Sequence, residues 1–185
     1  MKYQNLSSFT LPQNFRGRSA LVVQLWWIVQ ASLFKWSPQF AYGFRRTLLR
    51  IFGAQIGAGV IIRPNATVTY PWKVTIGDYA WVGDDVVLYS LGEIVIGAHS
   101  VVSQRCYLCT GDHSYTEIDF PIRGRKITIG DEVWVAADVF IAPAVTIGDG
   151  AVIGARSTVL SDMPAGMLCA GYPAKPLRPR LKEQL

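Results

Sequence analysis

Acidic residues are missing from the first 77 positions of this 185-residue chain; Asp78 is the first. Those positions hold nine basic side chains (Lys2, Arg16, Arg18, Lys35, Arg45, Arg46, Arg50, Arg63 and Lys73), while residues 78–185 hold nine basic and all thirteen acidic ones. The formal charge of +5 therefore belongs to the N-terminal part. Such a patch suits phosphates, and without a DNA- or RNA-binding motif an anionic membrane surface is favoured over nucleic acid, which is not expected as a partner. Cysteine is scarce, at three residues, an odd set that argues for a reducing compartment and no structural disulfide. Histidine is scarcer still, at two. No apolar run is long enough to span a bilayer as a helix, since Ala20–Phe34 is cut by Gln24, Gln30 and Ser32 and falls short of the roughly 20 residues required. Nor does it read as a signal peptide, because Lys35 and Trp36 stand where a small-residue cleavage site should be. Half of the residues are hydrophobic, which excludes a disordered chain.

What is present is a repeat with a period of six. An aliphatic residue falls at Ile129, Val135, Ile141, Ile147, Ile153 and Val159, and earlier at Ile56, Ile62, Val68; Ile76, Val82, Leu88; and Ile96, Val102, Leu108. Between the first three runs the phase slips by two residues, as short corner insertions would produce. The next position is small in most blocks, and the position four places on is small or β-branched, as at Val60, Ala66, Ser100, Cys106 and Ala151. Helical heptads cannot give a period of six. Three short strands per coil can, in a triangular β-solenoid whose aliphatic residues point at the axis and whose coils stack about 4.8 Å apart.

The repeat divides the chain into an N-terminal helical segment (1–55), a solenoid of about five coils (56–164) with a protruding loop (109–128), and a closing segment with a basic tail (165–185). Two helices are expected before the solenoid, with Leu21, Leu25, Ile28 and Val29 on one side of the first and Trp26 and Trp27 widening its apolar surface, Pro38 ending it, and a second from Phe40 to Phe52. They fit two roles: a cap on the first coil that also packs in an oligomer, or an in-plane membrane contact through residues 16–52.

The hexapeptide columns, the loop start Leu108-Cys109-Thr110-Gly111-Asp112-His113 and the closing Gly171-Tyr172-Pro173-Ala174-Lys175 resemble the left-handed β-helix acyltransferases over nearly the whole chain. Arg46–Ala54, Leu88-Tyr89-Ser90-Leu91-Gly92 and Ala142–Gly148 are most similar to the colanic acid biosynthesis acetyltransferase group. The resemblance implies a left-handed parallel β-helix, an exception to the usual crossover hand. It implies a homotrimer, acetyl-coenzyme A held in a cleft between subunits and a saccharide hydroxyl as acceptor; with the few cysteines and the basic N-terminal part, the expected location is cytoplasmic, with peripheral contact at the inner face of the membrane. It also implies His113 as the catalytic histidine, Trp134 as a wall of the acceptor and thioester region, Ala137 and Ala155 as backbone contacts of the pantetheine arm, and Lys175 with Arg178 and Arg180 near the nucleotide end. Two positions depart from the pattern. The usual Pro-Gly-Val step reads Pro143-Ala144-Val145, and an acceptor-binding asparagine is replaced within Gly83-Asp84-Asp85. Asp84 and Asp85 are thus candidates for holding the acceptor or plain corner formers.

A sugar hydroxyl is a poor nucleophile until its proton is leaving, and a histidine titrating near neutrality can take it. A Cys109 acyl-enzyme with His113 as base is an alternative route. Cys106, Cys109 and His113 superficially suggest zinc, but a fourth ligand is lacking and the cysteines belong to different hexapeptides, so no metal is expected. Other acceptors (serine, an antibiotic hydroxyl, a lipooligosaccharide) and a non-catalytic trimeric scaffold are the competing functions.

Overall fold

A computed structural model describes residues 2–181; position 1 of the N-terminal segment and 182–185 of the basic tail lie outside the described residues. Two helices, α1 (Ala20–Val29) and α2 (Tyr42–Ile51), precede a parallel β-solenoid. Its three faces carry five stacked strands on the first, five on the third and seven on the second, which makes five complete coils and a partial sixth. The aliphatic column forms three internal ladders: Ile56–Ile76–Ile96–Ile129–Ile147, Ile62–Val82–Val102–Val135–Ile153–Cys169, and Val68–Leu88–Leu108–Ile141–Val159. Every member is buried, as is the second column of Val60, Ala66, Ser100, Cys106, Ala151 and Ser157.

The two-residue slips in the sequence are corner insertions. Ile56 pairs with Ile76 and Ile76 with Ile96, 20 residues apart, whereas Ile129 pairs with Ile147 after 18. Both slips fall where the third face returns to the first, one as the short helical turn Pro71–Lys73. The long insertion occupies that same edge.

The small residue beside each aliphatic has a more specific cause than corner turning. A Cβ on Gly77 would stand 2.6 Å from the backbone nitrogen of Ala98 in the next coil, so close stacking of coils excludes it. The left-handed backbone comes two residues later, and the chain accepts side chains there: Tyr79, Asp85, His99, Arg105, Glu132, Asp138, Ala144 and Arg156 all have φ between 55° and 68°.

A solenoid's first coil exposes an unpaired strand edge, which must be covered to prevent edge pairing. Here α1 and α2 cover it with side-chain donors and one acceptor. Trp26 Nε1 donates to Val68 O at 2.7 Å, Arg46 to Val60 O at 2.7 Å and Arg50 to Ile56 O at 2.6 Å, while Gln30 Oε1 accepts from Val68 N at 2.6 Å. Arg45 is fully buried and donates to Ile62 O (2.6 Å), Ser37 Oγ (2.8 Å), Pro38 O (2.8 Å) and Gln39 O (2.6 Å). At the other end the antiparallel pair Met167–Gly171 and Ala174–Pro179 covers the last coil.

The apolar surface expected of α1 is split by the fold, with Trp26 and part of Val29 against the core and the Leu21, Leu25 and Ile28 group outside. Val23 and Trp26 are inward, Leu21, Leu25 and Ile28 outward, and Val29 lies between them. The helix is apolar nearly all round, so periodicity could not choose a face, and Trp26 won because its indole nitrogen can cap Val68. The basic patch is also reinterpreted: Arg45, Arg46, Arg50 and Lys73 bond to backbone carbonyls and Arg63 to Asp84.

Candidate active site

The insertion after the third coil is a hairpin, with Gly111–His113 paired antiparallel to Ile122–Gly124. Its base is pinned by buried Thr110, whose Oγ1 donates to Tyr89 O at 2.5 Å and accepts from Gly92 N at 2.8 Å. Asp112 receives Arg123 through two bonds, at 2.9 and 3.1 Å, and Arg125 approaches it at 3.4 Å. These ion pairs brace the strand that carries His113. The imidazole stacks on Phe120, with centroids 4.2 Å apart and planes 10° apart, and Phe9 tilts against it at 6.4 Å. Nδ1 lies 2.9 Å from Phe120 O. A carbonyl can only accept, so Nδ1 donates in this bond, and in the neutral ring Nε2 carries the lone pair.

A second feature runs along the second face. Its outward row reads Ile61, Trp81, Val101, Trp134, Val152 and Leu168, one residue per coil. A cavity of about 470 Å³ beside Trp134 is lined by Ala137, Gly154, Ala155 and Leu168. A larger one of about 710 Å³ lies beside Trp81 and is lined by Tyr42, Arg63, Asp84, Asp85 and Arg105. Ser103 and Gln104 border both, so the two form one trough along the edge between the second and third faces. Trp134 is oriented by its Nε1, which donates to Ser103 Oγ at 3.1 Å. Asp84 accepts from Arg63 Nε at 2.9 Å, a pairing that raises the Arg63 pKa further, and Arg63 Nη1 reaches Tyr42 Oη at 3.4 Å.

The repeat thus brings together Trp134, Ala137 and Ala155, with Asp84 and Asp85 in the wider end of the trough. Asp85 is also an exposed corner residue with φ 57°. His113 is not brought to them within one chain. The third-face strands Val87–Tyr89 and Tyr107–Cys109 run between the trough edge and the hairpin edge. Lys175 and Arg178 are exposed on the closing strand, Lys175 at the end nearest Ser157, whose Oγ accepts from Gly171 N at 3.1 Å. Arg180 turns to the opposite edge of that face, donating to Glu132 O at 2.7 Å and Gly150 O at 3.1 Å.

Over 181 residues, spanning 98% of this chain and all of the relative, the sequence is 58% identical to an Escherichia coli (strain K12) protein named "Putative colanic acid biosynthesis acetyltransferase WcaF". This chain belongs to the hexapeptide-repeat acetyltransferases. The family described as bacterial transferase hexapeptide (six repeats) matches residues 126–161, the unbroken run of the period. Galactoside O-acetyltransferase of E. coli is 32% identical over 72% of this chain and 68% of its own length. Among solved structures, a hexapeptide-repeat acetyltransferase from Vibrio cholerae complexed with acetyl-coenzyme A superposes with a TM-score of 0.80, at 26% identity, covering 90% of this chain and 92% of that one.

In this hexapeptide-repeat acetyltransferase some neighbours of the candidate site lie outside the repeat pattern. Phe120 and Arg123 reach His113 or its strand through the hairpin fold, and Phe9 reaches it from the N-terminal segment; no period marks any of them. Trp81 was legible, because it precedes Val82 as Trp134 precedes Val135. The thiols are poor nucleophiles. Burial raises the Cys109 pKa and its Sγ donates to Gly111 O at 3.3 Å, while Cys106 is pushed up to about 11, mainly by burial, and bonds Ala136 O at 3.0 Å. The two thiols address different carbonyls, and among the described residues no three His, Cys, Asp or Glu side chains converge as metal ligands.

Proposed function

We propose that this protein transfers the acetyl group of acetyl-coenzyme A to a saccharide hydroxyl during synthesis of a colanic-acid-like exopolysaccharide. The acceptor class is supported by the 58% identity to the colanic acid relative, and the donor by the acetyl-coenzyme A complex of the V. cholerae structure. The observation that carries the catalytic reading is the His113 ring, fixed through Nδ1 with Nε2 left as base. Nε2 takes the acceptor hydroxyl proton as that oxygen attacks the thioester carbonyl; the tetrahedral oxyanion collapses, and the coenzyme A thiolate departs and receives the proton. Direct attack is favoured over a Cys109 acyl-enzyme by the raised thiol pKa.

In this reading the trough holds the reactants. Trp134, Ala137 and Ala155 flank the pantetheine arm, Lys175 and Arg178 meet the nucleotide end, and Asp84 and Asp85 border the acceptor. Arg180, bonded to carbonyls at the far edge, has a structural share in the closing segment. His113 and the trough occupy different edges of one chain, which supports a homotrimer in which one copy's hairpin completes its neighbour's trough. The division at residues 1–55, 56–164 and 165–185 is retained as a capping segment, a catalytic solenoid and a closing segment. The protein is assigned to the cytoplasm, in peripheral contact with the membrane's inner face.

The test is calorimetric titration with acetyl-coenzyme A, paired with coenzyme A release over a panel of sugars. Wild type and His113→Ala are expected to bind about one donor per chain, and His113→Ala to lose about 10²- to 10⁴-fold in turnover. Absence of donor binding, or undiminished turnover by His113→Ala, overturns the reading.

A further inference from the structure

We propose that the outer face of α1, continued by Trp36 and Phe40, is a lipid-binding surface that lays the protein flat on an anionic bilayer. The inference deepens the peripheral location proposed above and stands independently of acetyl transfer.

No charged residue occurs from Ser19 to Phe34. Capping uses one side of α1 completely: Val23 and Trp26 are buried, and Gln30 bonds Val68 N. The opposite side presents Leu21, Leu25 and Ile28, spaced as one helical face and 83%, 54% and 64% exposed. Leu33 at 57% and Trp36 and Phe40 at 81% each extend the apolar surface. Among the described residues nothing covers these side chains. Exposed apolar side chains grouped in this way, with Gln24 among them, ordinarily mark an interaction surface.

Charge chooses the occupant. Exposed Arg18 stands just before α1 and exposed Lys35, which borders a cavity that Asp85 also lines, just after the turn Gln30–Phe34, so a cation flanks the apolar stretch at each end of the chain segment. Behind it, Arg45, Arg46 and Arg50 satisfy backbone carbonyls, and their charge meets no acid within the first 77 residues. A second copy docking through the same patch would set these cations against themselves. A bilayer with anionic headgroups answers both features: aromatic and aliphatic side chains enter the interface while Arg18 and Lys35 meet phosphates. No helix is long and apolar enough to cross the membrane, so α1 lies in its plane.

The experiment is co-sedimentation of the full chain with vesicles of equal phosphatidylglycerol and phosphatidylcholine, and with phosphatidylcholine alone. Wild type is expected to pellet with the anionic vesicles, less so as salt rises. Leu25→Asp/Ile28→Asp is expected to bind them at least about 100-fold more weakly, and Arg18→Glu/Lys35→Glu to lose the preference for anionic lipid. Calorimetric titration of the aspartate variant with acetyl-coenzyme A separates this surface from the donor site: unchanged donor binding with lost vesicle binding supports the proposal. Wild type left in the supernatant overturns it, as does equal pelleting of the aspartate variant. So does a variant that sediments as monomers where wild type is oligomeric and ignores vesicles, since the face would then be covered by another copy.

Discussion

Replacing Arg45 by Met tests the capping argument where it is strongest. The substitution keeps most of the aliphatic stem and its packing, so what is lost is the guanidinium. Burying that group is costly, and desolvation lowers its pKa from the ordinary guanidinium value. Buried ion pairs are sometimes replaced by apolar groups without loss, but only when both partners are exchanged. Here three of the four acceptors are the backbone carbonyls of Ile62, Pro38 and Gln39, which no side-chain substitution removes. Ser37 Oγ keeps its own bond to Phe34 O at 2.6 Å and can rehydrate. Leaving the buried Ile62 carbonyl unpaired costs about 1–3 kcal/mol, and the part-buried carbonyls of Pro38 and Gln39, which water can reach, add less each, for a sum of about 3–4 kcal/mol. With a urea slope of about 2 kcal/mol/M, the unfolding midpoint should fall by roughly 1.5–2 M at fixed protein concentration. Arg45→Lys, which retains a single charged donor, should fall between the two. A shift for Arg45→Met below about 0.5 M would refute the claim that this side chain seals the first coil.

Four further outcomes follow from the same geometry. Gly77→Ala, which forces a Cβ to 2.6 Å from Ala98 N, should cost about 2–3 kcal/mol by chemical denaturation. Ala144→Gly should stabilise by about 0.5–1 kcal/mol, because φ of 68° strains an alanine by more than glycine's extra unfolded entropy returns. Cys106, buried with its pKa near 11, should resist iodoacetamide at pH 8 in the folded protein and react on unfolding, followed by mass spectrometry. Trp134→Ala should raise the KM for acetyl-coenzyme A about 10-fold or more with a smaller change in kcat, while leaving the unfolding midpoint within a few tenths of a molar urea.

The solenoid was legible because each hexapeptide repeats one physical demand: Ile129, Val135 and Ile141 must point at a common axis, and their neighbours must let the next coil approach. The period therefore located buried side chains, corners and even the two-residue slips at Pro71–Lys73 and Ser90–Gly92. Trp134, Ala137 and Ala155 were singled out by the family resemblance; the period fixes their place in the coil but does not mark a trough. What escaped were contacts made by segments without a period. Phe9 reaches His113 across more than a hundred residues of chain, and α1 offered apolar side chains in nearly every direction. Its inner face carries hydrogen bonds that hydrophobicity does not encode, from Trp26 Nε1 to Val68 O and from Val68 N to Gln30 Oε1. The N-terminal cations carried a related ambiguity, because a sequence counts charge but does not say that Arg45, Arg46 and Arg50 end on carbonyls.

The placement of the insertion connects the scaffold to the chemistry. All departures from an 18-residue coil occur on one edge, and the trough lies on another, so lengthening the first leaves the stacking that shapes the second intact. The hairpin gains rigidity from bonds of its own: Arg123 and Arg125 on Asp112, Thr110 on Tyr89 O, and Phe120 O on the imidazole. In the proposed reaction His113 is the general base and must be held within a few tenths of an ångström of its working position, which a flexible loop of equal length would not do. Loosening Asp112 should therefore lower turnover without touching donor affinity. Asp112→Asn keeps the backbone pairing but weakens both arginine contacts, and should reduce kcat severalfold while calorimetric binding of acetyl-coenzyme A stays constant. An unchanged kcat would mean that the strand pairing alone positions His113.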